Sequence, residues 1–574
     1  MSYDPERITF FAKTDARGKN VPFGIKAKDR TRHVYVVGKT GMGKSTLLEN
    51  MAVQDIRNGE GFAFIDPHGQ TAETLLEYIP EERMKDVLYF APHDMDYPIS
   101  FNVMEDVGAD KRHLVVSGLM SVFEKIWVDA WSARMAYILQ NTLMALLEYP
   151  DATLLGVNRM LSDKVYRKKV VDNITDPSVK SFWVDEFAKY NERYMQEAGD
   201  AIKNKIGQFT SNPLIRNIIG QPRSSFDIRQ IMDEKKIIIM NLSKGLIGET
   251  NANLLGSMLT TRIYLAAMSR ADLSPEQMKA MPNFYFYVDE FQSFANATFA
   301  NILSEARKYK LNLTIAHQYI EQMEEDVRNA VFGNVGTTIA FRVGPFDAEV
   351  LETVFAPKFM AVDLVNLGFA QVYLTLMIDG IGSTPFSATT LQPLAHPEQS
   401  IRDAIIDASR RQFAHPRAGV ETMINAWHLP FPEEVPERKE KTSKNNTDNN
   451  FSDRKPKRPN DRPVEGKREF NNKRPADNNG SESESTRSAP NPTKSREELR
   501  AILKQLANQD EPENEVEAGR DLKSTLAAVL GENAKPAVEV PRVDNLPATE
   551  KDDLDPKKLE RMMRVKTDDK TPLK

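Results

Sequence analysis

The chain has 574 residues, of which 40% are hydrophobic and 28% charged, a composition typical of soluble globular proteins. Its formal net charge of −6 by itself predicts neither an acidic nor a basic partner. The absence of cysteine excludes disulfides and thiolate metal sites and fits a reducing cytoplasm. The N-terminus has no signal-peptide pattern, and no run of 18 apolar residues predicts a membrane span.

Eight short apolar segments predict strands that alternate with helices, the pattern of an α/β protein with a mostly parallel sheet. Several are nearly continuous apolar runs, as expected when helices cover both faces of the sheet. The segments are HVYVVG (33–38), GFAFID (61–66), DVLYFA (86–91), KKIIIMNL (235–242), NFYFYVDE (283–290), LNLTIAH (311–317), TTIAFRV (337–343) and AQVYLTLMID (370–379).

One stretch interrupts this alternation. Residues 107–228 have almost no strand signal, and segments such as SARMAYILQNTLMALLEY have helical spacing. We therefore predict an all-α domain over 107–228, inserted between the two parts of the α/β domain, 1–106 and 229–430.

Residues 431–574 form a tail rich in Pro, Asn, Ser and charge, which predicts disorder. Between Arg438 and Arg474 there are 13 basic and 6 acidic residues, a net charge of +7, so this segment is either a solvated linker or a non-specific nucleic-acid arm. Two short helices are predicted near 495–508 and 521–530. Because neither is stable alone, they either fray or dock on a protein partner.

A glycine-rich loop follows the first predicted strand. GKTGMGKS (38–45) matches the phosphate-binding P-loop pattern G-x-x-x-x-G-K-[ST] and lies between a strand and a helix, as that pattern requires. Lys44 is expected to reach the β- and γ-phosphates of ATP, and the Ser45 hydroxyl to bind Mg²⁺. The predicted nucleotide-binding residues are Gly38, Lys39, Thr40, Gly41, Met42, Gly43, Lys44, Ser45 and Thr46.

An acidic pair ends the strand NFYFYVDE. Asp289 is predicted to support Mg²⁺ through its hydration shell, and Glu290 to polarise the water that attacks the γ-phosphate. A simple GTPase or small-molecule kinase does not need this second carboxylate. The pair therefore favours nucleotide hydrolysis.

Three further features accompany these motifs: Asp66 to Gly69 (DPHG) after the second strand, Gln318 after LNLTIAH, and Arg307 between Glu290 and Gln318. Together they resemble the HerA–FtsK branch of RecA-like P-loop ATPases. The match is closest to the TraG/TraD-type coupling proteins of type IV secretion, which also carry an inserted all-α domain.

The resemblance implies roles for particular residues. Gln318 corresponds to a sensor of the γ-phosphate, and Arg307 to an arginine finger given to a neighbouring subunit; the alternative for Arg307 is a surface arginine. Arg32 is a weaker second candidate. Asp66 and His68 are expected to shape the edge of the pocket, although His68 also fits a plain turn residue. A finger that acts between subunits implies a ring, which in this family is hexameric and pulls DNA through its pore.

The cargo and the location stay open. A basic cluster at Lys164, Arg167, Lys168 and Lys169 either tracks DNA phosphates or is a solvated helix face. Many coupling proteins have N-terminal transmembrane helices, whereas this chain starts almost directly at the ATPase fold. We therefore expect a cytoplasmic protein, free or peripheral at the inner face of the membrane.

The favoured hypothesis is an ATP-hydrolysing DNA translocase of the coupling-protein type, for conjugative transfer or type IV secretion. The alternatives are a secretion or pilus ATPase acting on protein substrates, and a nucleotide-gated assembly scaffold.

Overall fold

The computed structural model describes residues 3–15, 18–105, 107–295 and 297–430, and its strands build one large sheet and one small hairpin. The strands are β1 Ile8–Thr14, β2 Pro22–Lys26, β3 Val34–Val37, β4 Gly61–Asp66, β5 Val87–Phe90, β6 Ile237–Asn241, β7 Phe284–Val288, β8 Leu311–His317, β9 Thr337–Ala340, β10 Gln371–Thr375, β11 Met377–Ile378, β12 Ile381–Gly382 and β13 Phe386–Thr390.

The large sheet has eleven strands in the order β2-β1-β13-β10-β9-β3-β8-β7-β4-β6-β5. The seven strands from β9 to β5 are parallel, and the pairs on the other side of β9 are antiparallel. All eight predicted strands are present, so the predicted mostly parallel α/β sheet is confirmed. The structure adds β1, β2 and β13, and it splits the predicted strand at 370–379 into β10 and β11.

Helices precede, follow or connect most of these strands. They are α1 Ala27–Arg30, α2 Lys44–Arg57, α3 Gln70–Glu77, α4 Arg112–Ile126, α5 Ala133–Glu148, α6 Leu155–Ser162, α7 Lys164–Asn173, α8 Pro177–Ser181, α9 Glu192–Thr210, α10 Pro213–Ile219, α11 Ile228–Asp233, α12 Lys244–Ile247, α13 Glu249–Met268, α14 Pro275–Ala280, α15 Ala297–Glu305, α16 Glu325–Asn334, α17 Pro345–Phe355, α18 Ala361–Val365, α19 Arg402–Phe413 and α20 Arg417–His428.

Apolar cores cover both faces of the parallel sheet. Successive side chains of a strand point to opposite faces, and β3 follows this rule. Tyr35 and Val37 join the larger core with the helices from α4 onward, whereas Val34 and Val36 join the core that contains α2 and α3. Double coverage explains why the parallel strands are apolar at nearly every position.

Between β5 and β6 the described residues form helices and no strand. The first helix of this helical stretch, α4, packs closely on α13, which follows β6. A Cβ at Gly118 of α4 would lie 2.5 Å from Cγ2 of Thr261 on α13, so glycine permits the close approach. The exact limits of an inserted domain, 107–228, stay a prediction.

The last two helices join different parts of the fold. On α19, the Ser409 hydroxyl accepts a hydrogen bond from Tyr89 N of β5 at 3.0 Å. On α20, Val420 and Ile424 pack against Leu155 of α6 in a small core of their own. The two helices therefore run from the edge of the sheet to the helical stretch.

The predictions for the tail, including both short helices, concern 431–574 and lie outside the described residues. Within the described part of the chain, no helix has the length and apolar character needed to cross a membrane.

Candidate functional site

The P-loop begins at the carboxyl end of β3, in the interior of the sheet. The chain stays hydrogen-bonded as it leaves the strand, because Gly38 N donates to His317 O at 3.2 Å and Lys39 N donates to Arg342 O at 2.8 Å. A Cβ at Gly38 would lie only 2.5 Å from the Phe341 Cβ. Glycine is therefore required for the loop to leave the sheet at this point.

The loop then turns into α2. Gly43, with φ at 111°, precedes the first residue of the helix, Lys44. The first N–H groups of a helix have no partner within it and bind anions readily. The buried Lys44 Nζ donates to Gly38 O at 2.7 Å and to Lys39 O at 3.3 Å. Burial lowers the pKa of Lys44, and the negative charges of Glu290 and Asp289 oppose that shift.

The nine predicted nucleotide-binding residues form one continuous turn and first helical turn. Thr40 and Gly41 are exposed at the tip, and Met42 packs on the core beneath it. Ser45 and Thr46 are partly exposed in the first turn of α2. The backbone is thus arranged as a phosphate cradle, and the binding roles of these residues stay predictions.

Ser45 and Asp289 are in direct contact. The Ser45 hydroxyl donates to the Asp289 carboxylate at 2.7 Å, although the two residues are 244 positions apart. Burial raises the pKa of Asp289, and the hydrogen bond from Ser45 opposes that shift. A hydroxyl and a carboxylate oxygen are ligands that suit Mg²⁺, which takes the rest of its shell from water and phosphate. The two side chains therefore fit the predicted metal site.

Glu290 has an unusual backbone. It adopts a left-handed conformation, with φ at 48° and ψ at 50°, and its N–H donates to the Asp289 carboxylate at 2.9 Å. Its own carboxylate accepts a hydrogen bond from the Gln292 side-chain amide. Strained backbone in a non-glycine residue persists only where the surroundings hold it, and it is frequent at active sites.

Two more predicted residues lie at the same edge of the sheet. β8 pairs with both β3 and β7, so Gln318, just past its end, lies between the P-loop and the acidic pair. Asp66 ends β4, which is on the other side of β7. The Asp66 carboxylate accepts from His68 N at 2.8 Å and Ala72 N at 2.9 Å, so it organises the turn into α3, while the His68 side chain is exposed.

The two arginines lie at the other end of the parallel strands, away from the P-loop. Arg307 is exposed and lies just before β8, and Arg32 lies just before β3, so both occupy the amino end of parallel strands. His33, next to Arg32, is hydrogen-bonded to β8: its Nδ1 accepts from Leu313 N at 3.0 Å, and burial, helped by the charge of Arg307, lowers its pKa to about 4. The seven residues of β8, at about 3.3 Å per residue, span about 23 Å between the end where Arg307 lies and the end beside the P-loop.

The basic cluster on α7 is partly engaged within the protein. Arg167 donates to Met160 O at 2.9 Å and lies over the Phe187 ring, 5.3 Å from its centre. Lys168 pairs with Asp172 at 2.5 Å, and both side chains are well exposed. These contacts reduce the charge that α7 offers to an external phosphate chain.

Three side chains hold the loop after Glu290 and belong to no motif recognised in the sequence. Gln292 bonds the Glu290 carboxylate, as described above. Lys244 Nζ donates to the Ser293 hydroxyl at 3.0 Å, and Lys125 Nζ donates to Gln292 O at 2.8 Å and also to Ala295 O. Only the position of Gln292, two residues after the acidic pair, offered a signal in the sequence. The lysines are distant in the chain.

Two family models match the chain. "Helicase HerA, central domain" matches residues 14–263, and "TraM recognition site of TraD and TraG" matches residues 283–354. The predicted resemblance to the HerA–FtsK ATPases is confirmed. A comparison with curated proteins found no match.

Two solved structures of the coupling protein TrwB have a fold similar to that of this chain. The conjugative coupling protein TrwBΔN70 aligns at 14% identity over 68% of this chain and 91% of its own, with a TM-score of 0.50. TrwB in complex with a non-hydrolysable GTP analogue aligns at 13% identity over 70% and 92%, also with a TM-score of 0.50. VirB4 of Thermoanaerobacter pseudethanolicus aligns at 12% identity over 68% and 98%, with a TM-score of 0.46.

Proposed function

We propose that this protein is an ATPase that hydrolyses ATP at the P-loop and uses the energy to move DNA through an oligomeric ring. In this proposal the P-loop amides and Lys44 bind the phosphates, and Ser45 and Asp289 hold Mg²⁺, which would neutralise phosphate charge. Glu290 accepts a proton from the attacking water, and Gln318 contacts the γ-phosphate.

One observation carries the hydrolytic part of the proposal. The ends of three adjacent parallel strands bring Lys44, Ser45, Asp289, Glu290 and Gln318 to one edge of the sheet. Glu290 is also close enough to Lys44 for its charge to oppose the lowering of the lysine pKa. A carboxylate in that position faces the phosphate site, as a general base must.

The position of the arginines supports a ring. Arg32 lies before the four residues of β3. Arg307 lies at the same end of the parallel strands, and the length of β8, about 23 Å, separates it from the P-loop of its own chain, which exceeds the reach of an arginine side chain. An arginine there can complete a nucleotide site only on a neighbouring copy. The TrwB structure with a bound GTP analogue supports a nucleotide ligand for this chain, and the match to the HerA helicase model supports DNA as the cargo.

ATPase activity of the full chain with and without DNA tests the proposal. We expect Mg²⁺-dependent hydrolysis that DNA stimulates, and a loss of about 10²–10⁴-fold in kcat for Glu290→Gln, the range of a general base. Unchanged hydrolysis in Glu290→Gln would remove the assigned mechanism. Stimulation by a protein substrate, with none by DNA, would favour a secretion ATPase. ATP binding without turnover would favour an assembly scaffold.

A mixing experiment tests the arginine between subunits. Lys44→Ala leaves Arg307 intact but has no working cradle, whereas Arg307→Ala keeps the cradle and loses the arginine. If Arg307 acts on a neighbour, a mixture of the two inactive variants regains part of the wild-type rate. A mixture as inactive as its components, in assemblies shown to contain both variants, would assign Arg307 to the surface.

A further inference from the structure

We propose that Gln292 and Lys125 are positioning residues through which the helical stretch between β5 and β6 controls Glu290. The inference rests on the proposed hydrolysis and identifies what regulates that site. It follows from a continuous path of hydrogen bonds from α4 to the predicted general base.

The first step of the path is the contact between Gln292 and Glu290. The left-handed backbone of Glu290 is unfavourable in an L-residue, so the surrounding contacts have to maintain it. The Gln292 amide donates to the Glu290 carboxylate. Its Oε1 atom is buried without a hydrogen-bond partner in the described structure. Because a carboxylate only accepts, the amide has one useful orientation, and that orientation directs Glu290.

The second step is the attachment of the loop to the α/β part. Phe294 fits against Gly256 of α13, where a Cβ would lie 2.3 Å from the phenylalanine ring. Ser257 donates to Phe294 O at 3.4 Å, and Lys244 of α12 donates to Ser293. These contacts fix the far end of the loop, 293–295, to helices that follow β6. Gln292 lies in the short helical turn Phe291–Ser293 between these contacts and Glu290.

The third step crosses to the helical stretch. Lys125 is the second-last residue of α4, and its Nζ donates to the carbonyl oxygens of Gln292 and Ala295. Burial lowers the pKa of Lys125 to about 8. Lys125 is partly buried, and an ammonium group withdrawn from water is costly unless it is hydrogen-bonded, so these two carbonyl oxygens stabilise it.

The path couples two parts of the fold. A shift of α4 moves Lys125, which moves the Gln292 backbone, and the side-chain amide of Gln292 then redirects the Glu290 carboxylate. A misplacement of about 1 Å at a catalytic group can cost about 10²-fold in rate. The helical stretch therefore sets the hydrolysis rate without contacting the nucleotide.

Steady-state ATP hydrolysis by the full chain tests this relay. The variants are Gln292→Met and Lys125→Met, which keep side-chain length and remove the donors, and Lys125→Arg, which keeps a charged donor. Lys111→Met, just before α4, is the matched control, because Lys111 pairs with the exposed Asp272. For each variant, kcat, KM for ATP and the thermal unfolding midpoint are measured.

We expect both relay variants to lower kcat at least about tenfold with KM within twofold of wild type, because outer partners of a catalytic group contribute on the order of 10–100-fold. Lys125→Arg should recover most of the rate, and Lys111→Met should not differ from wild type. The double variant Gln292→Met/Lys125→Met should lose no more than the more severe single variant, because both act through one path.

The inference is overturned if wild type hydrolyses ATP and Gln292→Met or Lys125→Met does so at the same kcat. It is also overturned if the losses multiply in the double variant, or if Lys125→Arg fails to recover the rate. If Lys125→Met lowers the unfolding midpoint, Lys125→Arg and Gln292→Met decide the question. The absence of hydrolysis in wild type, or an unaffected Glu290→Gln, refutes the proposed function instead.

Discussion

A buried ion pair between the segment before β3 and the last turn of α2 gives the sharpest prediction about stability. The Arg30 guanidinium, just before β3, donates to both oxygens of Asp55 on α2 at 2.7 and 2.9 Å. It also donates to the Tyr287 hydroxyl at 2.6 Å and lies 3.7 Å from the centre of the Tyr285 ring on β7. Both side chains of the pair are 1% exposed, so neither charge reaches water.

Asp55→Asn removes the countercharge and keeps the shape. Breaking one partner of a buried pair costs about 3–5 kcal/mol, because the remaining charge stays desolvated. About 430 folded residues at about 2.1 cal/mol/K each give an unfolding entropy of about 0.9 kcal/mol/K, so the thermal unfolding midpoint should fall by about 3–6 °C. Differential scanning calorimetry or circular dichroism measures this shift. Asp172→Asn in the exposed pair with Lys168 is the control, and it should produce no resolvable shift.

The same argument predicts a recovery. Replacing the whole pair by apolar residues, in Arg30→Met/Asp55→Leu, removes both buried charges and should restore much of the lost stability. An unfolding midpoint of Asp55→Asn equal to that of wild type would refute the reasoning. So would a double variant that is less stable than Asp55→Asn alone.

Three other predictions follow from single positions. Gly38→Ala places a Cβ 2.5 Å from Phe341 and should weaken binding of a fluorescent ATP analogue at least about tenfold, since the whole loop must shift. Gly256→Ala clashes with the Phe294 ring at 2.3 Å and should destabilise the fold by about 1–3 kcal/mol in chemical denaturation, the cost of overpacking. Burial lowers the pKa of His33 to about 4, so between pH 6.5 and 4 the unfolded imidazole binds a proton that the native one does not. The free energy of unfolding should therefore fall as the pH drops through this range, and His33→Asn, which tolerates the left-handed backbone, should flatten that dependence.

Each of these predictions has a control or a contrary result. Gly41→Ala is the control for Gly38→Ala. A Cβ at Gly41 meets no other atom, but the φ of 75° there is also left-handed, so a greater loss of binding in Gly38→Ala measures the collision with Phe341 and not backbone strain. Gly199→Ala on α9, where a Cβ meets nothing, should not destabilise the fold as Gly256→Ala does. His68→Asn, which replaces an exposed histidine, is the control for His33→Asn and should leave the pH dependence of the free energy of unfolding unchanged. An equally steep acid loss in His33→Asn would assign that loss to other groups.

Most of the parallel sheet could be predicted from the sequence because buried parallel strands are apolar along their whole length. The outer strands could not. β2 contains Pro22 and Gly24, and three of the five residues of β13, FSATT, are polar, so neither gives a strong strand signal. Asp379 and Gly380, with φ values of 51° and 82°, form the turn between β11 and β12. An Asp-Gly pair is a hairpin signal, and it accounts for the pairing of β11 with β12, whereas β10 pairs with β9 and β13 in the large sheet.

The candidate site, too, could be predicted from the sequence only in part. The P-loop is contiguous in the sequence, and the acidic pair directly follows its strand, so periodicity and motif spacing were enough to find both. The contact between Ser45 and Asp289 follows once β3 and β7 are both placed beside β8. The role of Lys125 depends on the packing of α4 over a loop that lies 167 residues away along the chain, which no local pattern encodes.

The attachment of α20 determines how a mechanical load enters the protein. The Arg159 guanidinium donates to the carbonyl oxygens of Trp427 and Leu429, and it also lies over the Tyr166 and Trp427 rings. A force applied at residue 430 therefore loads α6 and α7 through these contacts. Tension on that end would strain the helical stretch that also carries Lys125.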